Sequence, residues 1–184
     1  MNGIWLDFCT STLTSIEIMF NSNATLEPNK IISGEQLYSE AINLLLKSAQ
    51  HKLLIFDQDL SRGNFASSEK SGFLQDFLST NIASQLTIIL QDASFFQNKC
   101  PRLLNLLEVY GHKMHLHITN TSVKHAKDCF ILADGAHYIK RIHIDQARFK
   151  YAFDDMQSVE ALNNRFMDLL DATADTVTTR PLGL

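Results

Sequence analysis

The chain has 184 residues, of which 45% are hydrophobic and 20% charged, a composition typical of one ordinary globular domain and not of a disordered or fibrous protein. Its 16 basic and 20 acidic side chains give a formal charge of −4, which excludes a generally basic nucleic-acid binder and leaves room only for a local basic patch. No apolar run has the length of a membrane span, and Cys9, Cys100 and Cys129 form no CxxC motif. We therefore expect a soluble, cytoplasmic protein without a disulfide framework.

The two ends of the chain differ from its middle. Ile16, Ile18 and Phe20 form a strand-like run that is followed by a polar linker, so residues 1–32 are interpreted as an N-terminal arm. The main domain is predicted to span residues 33–172. Residues 173–184 are predicted to form a frayed tail.

Three helix–strand units follow one another in the main domain. Ser33 is predicted to cap a helix that reaches about residue 50, and an all-apolar strand follows at 53–56. A second helix, capped by Ser68, leads to a strand at 86–90, and a third begins at Pro101 and leads to a strand at 114–118. This order predicts a largely parallel sheet with helices on its faces.

An antiparallel hairpin is predicted next, because two β-rich runs flank Asp134-Gly135. If these two residues alone form the turn, counting outward places Asp128 opposite Arg141, and the register predicts an ion pair between them. A last amphipathic helix is predicted from about residue 155.

This order of elements, together with the run KHAKDCFILADG at 124–135, resembles one half of the phospholipase D-like fold over roughly residues 35–171. The chain is most similar to a small bacterial group of such domains of unassigned function, on FDQDLS at 56–61, CPRLLNLL at 100–107 and DCFILADG at 128–135. The resemblance implies an α/β fold with a mixed, largely parallel sheet flanked by helices. It also implies a homodimer, since active members complete their site with a second copy.

Active members carry a His-x-Lys-x4-Asp motif whose histidine attacks a phosphodiester, and this chain departs from that pattern. With Asp134 as the aspartate, Lys127 stands at the nucleophile position and Cys129 at the lysine position. A protonated lysine is a poor phosphoryl acceptor, and a neutral thiol does not neutralise phosphate charge. We therefore expect a non-catalytic binding or interaction domain.

The alternative is a residual phosphodiesterase or phosphatidyltransferase-type enzyme that acts as a homodimer through His125, Lys127 and Asp134. His125-Ala126-Lys127 is a true His-x-Lys, but its aspartate then comes two residues late. That is a displacement of about 6.6 Å along a strand, at roughly 3.3 Å per residue. This alternative requires a bulge to restore the geometry.

Two groups of residues are candidates for binding a cation. Asp57, Asp59 and Asp92 follow predicted parallel strands, at the edge where such sheets bind ligands, although turn and N-cap roles explain them more simply. His115 and His117 alternate along one strand and could share a metal. No acidic or cysteine partner lies close to them in the sequence, so we favour ordinary histidines and expect no cofactor.

The hairpin region has a local positive bias despite the acidic whole, and Lys127 and Arg141 are the ligand-binding candidates within it. The pattern favours an anionic or phosphate-bearing ligand. It disfavours nucleic acid, because no interleaved aromatic residues offer a platform for stacked bases. The basic residues concerned are Arg62, Lys124, Lys127, Lys140, Arg141, Arg148 and Lys150.

Overall fold

The computed structural model describes residues 25–120 and 125–176. The strand-like run predicted at 16–20 therefore lies outside the described residues, as does the last part of the predicted tail. In chain order the elements are β1 (Ile32–Ser33), α1 (Glu35–Ser48), β2 (Lys52–Asp57), α2 (Ser68–Thr80), β3 (Gln85–Leu90), α3 (Ser94–Lys99), α4 (Pro101–Val109), β4 (Met114–Thr119), β5 (Cys129–Ala133), β6 (His137–His143), β7 (Gln146–Ala152), α5 (Met156–Asp171) and β8 (Thr173–Thr176). None of the described helices is long and apolar enough to cross a membrane.

The strands form one mixed sheet in the order β1-β7-β6-β5-β2-β3-β4-β8. β2, β3 and β4 are parallel neighbours, whereas the other pairs are antiparallel. The predicted fold class, α/β with a mixed sheet flanked by helices, is thereby confirmed. The parallel strands come from the three helix–strand units, and β5 and β6 form the predicted hairpin. The sheet is less parallel than predicted, because among the described strands the antiparallel pairs, which also involve β1, β7 and β8, outnumber the parallel ones.

Helices cover both faces of the sheet. Alternate residues of β2 point to opposite sides, so Ile55 packs in the core beneath α1 to α4, while Phe56 packs beneath α5. We call these sides the α1 face and the α5 face. An all-apolar strand suits this position, because both of its sides are buried.

The helix starts differ in detail from the predicted caps. Gly34, with a φ of 133°, is the N-cap of α1. Ser33 cannot cap the helix because it belongs to β1, where it pairs with Arg148 of β7. Ser67, and not Ser68, caps α2, where its side chain accepts the N–H of Lys70 at 3.2 Å. Pro101 occupies the first turn of α4, as predicted, whereas the sequence pattern does not predict the short helix α3 before it.

The predicted hairpin register is wrong by one residue. Ala133 pairs with His137, and Cys129 pairs with Arg141, so the loop contains Ala136 in addition to Asp134 and Gly135. The extra residue is held in place, because the carbonyl oxygen of Ala136 accepts the N–H at position 155 (2.9 Å). Because of this shift, Asp128 and Arg141 point to different faces of the sheet.

Candidate functional site

The carboxyl ends of β2 and β3 meet at one edge of the sheet, where the three predicted aspartates lie. The carboxylate of Asp57, which is 3% exposed, accepts the N–H groups of Asp59 (3.1 Å) and Leu60 (2.9 Å). Asp59 accepts the N–H of Ser61 at 2.9 Å. These bonds organise the loop after β2, in which Leu60 adopts a φ of 65°. Both carboxylates therefore act as turn residues.

Asp92 has a similar role at the start of α3. It accepts the N–H and the hydroxyl of Ser94, at 2.8 and 2.6 Å. His115 is exposed on β4. Partial burial lowers the pKa of His117, and the neighbouring His115 lowers it further to a smaller extent. Within residues 25–120 and 125–176, no three His, Cys, Asp or Glu side chains are grouped so that they could hold a metal ion.

Cys129, which the resemblance places at the lysine position of the motif, is buried at the start of β5. Its thiol is hydrogen-bonded to the carboxylate of Asp57. Burial raises the pKa of the thiol far above its ordinary value, and the negative charge of Asp57 acts in the same direction. Burial likewise raises the pKa of Asp57. The thiol is therefore protonated and supplies neither a nucleophile nor a positive charge.

Arg141 lies beside Cys129 across the strands and is 1% exposed. Its guanidinium donates two hydrogen bonds of 2.7 Å to the carboxylate of Glu35 and one of 2.9 Å to the carbonyl oxygen of Ile144. It also lies over the ring of Tyr38, 5.1 Å from the centroid. The bond to Glu35 raises the pKa of Arg141 and lowers that of Glu35.

The predicted ion pair between Asp128 and Arg141 is thus absent, and each residue has other partners. Asp128 accepts a 2.7 Å hydrogen bond from Arg165 on α5 and lies 3.6 Å from Lys140. Glu35 and Arg165 were not among the predicted site residues. They are 106 and 37 positions from their partners, and no local sequence signal connects them.

The residues of the enzymatic alternative lie at opposite ends of β5. His125 and Lys127 come before the strand and are exposed, whereas Asp134 follows it. The carboxylate of Asp134 accepts the N–H groups of Gln50, His51 and Lys52, at 2.7, 2.8 and 2.8 Å. It ties the hairpin turn to the loop between α1 and β2.

A polar cleft of about 470 Å³ opens at the carboxyl edge, and Lys127 and Asp92 both line it. The amide of Gln91 borders it and donates a 2.8 Å hydrogen bond to the carbonyl oxygen of Ala126. One lysine and one aspartate leave this cleft nearly neutral. His125 is not among its lining residues.

A family model described as "Domain of unknown function (DUF7931)" matches residues 34–182. No curated protein matches the sequence.

Three solved structures are similar at low sequence identity, and the likeness shows a phospholipase D-like fold. Nuc from Salmonella typhimurium, a phospholipase D family member, has a TM-score of 0.55 at 9% identity, covering 75% of this chain and 89% of its own. NucT from Helicobacter pylori has a TM-score of 0.52 at 13% identity, covering 79% and 96%. TrmBL2, an archaeal chromatin protein that binds DNA, has a TM-score of 0.59 at 11% identity, covering 80% of this chain. The chain spans about half of TrmBL2, with 54% covered.

Proposed function

The chain belongs to the family described as a domain of unknown function (DUF7931), and on its phospholipase D-like fold we propose a non-catalytic binding domain for an anionic ligand. One observation carries the proposal. At the two positions where the resemblance places the histidine and lysine of active members, this chain has the exposed Lys127 and the buried, protonated Cys129. Neither side chain performs the role of its counterpart.

The contacts around Cys129 support the same conclusion. Asp57 accepts from the thiol, and Arg141 is occupied by Glu35 and by a backbone carbonyl, so the charged groups nearest this position are bonded to one another. A phosphodiester at Cys129 would meet polar groups that are already bonded to partners within the protein.

The competing function is a phosphodiesterase that uses His125. The test is hydrolysis of bis(p-nitrophenyl) phosphate by the wild type, by His125→Ala and by the control His112→Ala, which changes another exposed histidine. We expect no hydrolysis above background in any of them. Turnover by the wild type that His125→Ala abolishes and His112→Ala retains would overturn the proposal.

We further propose that the domain includes β8 (Thr173–Thr176) beyond its predicted end at residue 172, because this strand pairs with β4 in the sheet. We also propose that the domain forms a two-fold homodimer, as pairing of halves in the superfamily suggests. Light scattering during size-exclusion chromatography measures the mass of the assembly. A monomer at all concentrations would contradict the dimer and leave the binding role unaffected.

A further inference from the structure

A second cleft, of about 450 Å³, opens on the α5 face beside β6 and β7. Four cationic side chains line it, against the single carboxylate of Asp128. The cleft therefore has a formal charge of about +3 in a chain whose formal net charge is −4. The four cations are Lys127, Lys140, Lys150 and Arg165. We call this site the basic cleft.

The floor of the basic cleft contains an unfavourable pair. Lys140 on β6 and Lys150 on β7 are direct partners in the antiparallel ladder, so both ammonium groups leave the sheet on the same side. Like charges directly opposite each other across two strands destabilise a sheet. A local arrangement that costs stability is expected mainly where function requires it.

The single acid does not neutralise this charge. Asp128 is already shared between Arg165 (2.7 Å) and Lys140 (3.6 Å). In the part of the chain that the structure describes, neither Lys127 nor Lys150 forms an ion pair within 4 Å. Two ammonium groups thus remain available to an anion entering the cleft.

The basic cleft also has an apolar border. Ile31 and Ile142 line it and are 58% and 42% exposed, and Tyr138 borders its floor. Exposed isoleucines beside a charged floor are suited to a ligand with an anionic group and an apolar portion. The volume is that of a site for a small molecule.

We propose that the basic cleft binds a small phosphate-bearing ligand with an apolar moiety, its phosphate held by Lys127, Lys140 and Lys150. This deepens the proposed function and rests on it, since it names the ligand class and places the ligand on the α5 face, away from Cys129. Arg141, a predicted ligand-binding residue, takes no part because it is buried against Glu35 on the α1 face. A soluble phosphate ester and the headgroup of an anionic lipid share this chemistry.

Two matched double variants test the cleft by calorimetric titration with phenyl phosphate and with inorganic phosphate at low salt. K127E/K150E reverses the two unpaired cleft lysines, whereas K99E/R102E reverses two exposed cations outside the lining of the cleft. Both change the net charge equally. We expect K127E/K150E to bind phenyl phosphate at least about tenfold more weakly than the wild type. The affinity of K99E/R102E for phenyl phosphate should differ from that of the wild type by less than about twofold.

A third variant, Ile142→Ser, tests the apolar border. It should weaken phenyl phosphate and leave inorganic phosphate unchanged, because only the ester has an apolar portion. If circular dichroism shows that K127E/K150E is unfolded, K127Q/K150Q replaces it. No binding of phenyl phosphate to the wild type, or equal weakening in the two double variants, overturns the inference.

Further arms identify the source of the phosphate. A lipid headgroup would be supported by two results together. The wild type floats with vesicles of phosphatidylcholine plus phosphatidylglycerol but not with phosphatidylcholine alone, and K127E/K150E does not float with either. Phenyl phosphate binding without flotation would support a soluble ester. Much tighter binding of a single-stranded oligonucleotide through the same lysines would overturn the small-ligand inference. Hydrolysis that depends on His125 is a separate measurement and would overturn the proposed function alone.

Discussion

Replacing Glu35 by glutamine should destabilise the protein more than any ordinary surface substitution, because it removes the counter-charge of a buried arginine. Arg141 is 1% exposed and donates two hydrogen bonds of 2.7 Å to this carboxylate. Breaking a buried ion pair by removing one partner costs about 3–5 kcal/mol. Glu35 is 47% exposed, so water partly replaces the lost oxygen, and we expect about 2–3 kcal/mol.

Urea unfolding followed by circular dichroism measures this free energy. The control is Glu40→Gln on the same helix, whose carboxylate accepts a hydrogen bond from the exposed Gln36. This control should cost at most about 0.5 kcal/mol. A loss for Glu35→Gln within about 0.5 kcal/mol of the control would refute the reasoning. The double variant E35Q/R141M should recover part of the loss, because no buried charge is left without a partner.

The same pair predicts a dependence on pH. The hydrogen bonds from Arg141 lower the pKa of Glu35 below its ordinary 4.5. Its contribution to stability is therefore fully present above about pH 4.5 and is lost as the pH falls through the lower, folded-state pKa. The difference in unfolding free energy between the wild type and Glu35→Gln should shrink in that acidic range. A constant difference down to pH 3 would contradict this assignment, since about 1 pH unit below the ordinary pKa most free carboxyls are protonated.

Two further substitutions test other buried or anchoring groups. Lys70 is fully buried and donates hydrogen bonds to Ser39 and Asn43, and burial lowers its pKa to about 8 from 10.5. Because the unfolded chain binds the proton more tightly, the stability of the wild type should rise relative to that of Lys70→Met, by up to about 3 kcal/mol between pH 8 and 10.5 in urea unfolding. An unchanged difference would show that the lysine is not desolvated. Asp134→Ala removes the acceptor of three backbone N–H groups and should cost about 1–2 kcal/mol in thermal unfolding. Asp134→Asn should cost less, because asparagine keeps an acceptor oxygen and tolerates the φ of 53° at this position. Equal losses for the two variants would count against the hydrogen bonds as the cause.

The strands and most helices could be predicted because their signals are local. The apolar runs of β2 and β3 follow from burial on both faces, and Pro101 marks a helix start whatever surrounds it. The hairpin register depends on distant groups. Asp134 binds the loop before β2, and Ala136 is held by the backbone at position 155, so the loop takes one residue more than Asp-Gly turns usually have.

The basic cleft could not be assembled from the sequence for a similar reason. Lys140 and Lys150 are ten positions apart, and only the β6–β7 register brings them opposite each other. Arg165 joins them from α5. The sequence predicts a positive bias for this region, but the division of these charges between the two faces depends on the hairpin register, which differs from the predicted one by one residue. The single-residue error pairs Arg141 with Asp128 and so places both side chains on one face of the sheet, whereas Arg141 pairs with Cys129.

The distribution of charge between the two faces favours binding on the α5 face. On the α1 face, the buried Arg141 donates two hydrogen bonds to Glu35 and one to the carbonyl oxygen of Ile144, so its guanidinium is already occupied within the protein. On the α5 face, Lys140 and Lys150 stand opposite each other, and Asp128, the one carboxylate among the residues that line the basic cleft, is already shared. An anion approaching the α1 face would have to break buried hydrogen bonds, whereas one entering the basic cleft would relieve a repulsion. In an inert scaffold that binds no ligand here, this repulsion would only destabilise the sheet. Charge reversal in the basic cleft therefore separates a binding domain from an inert scaffold.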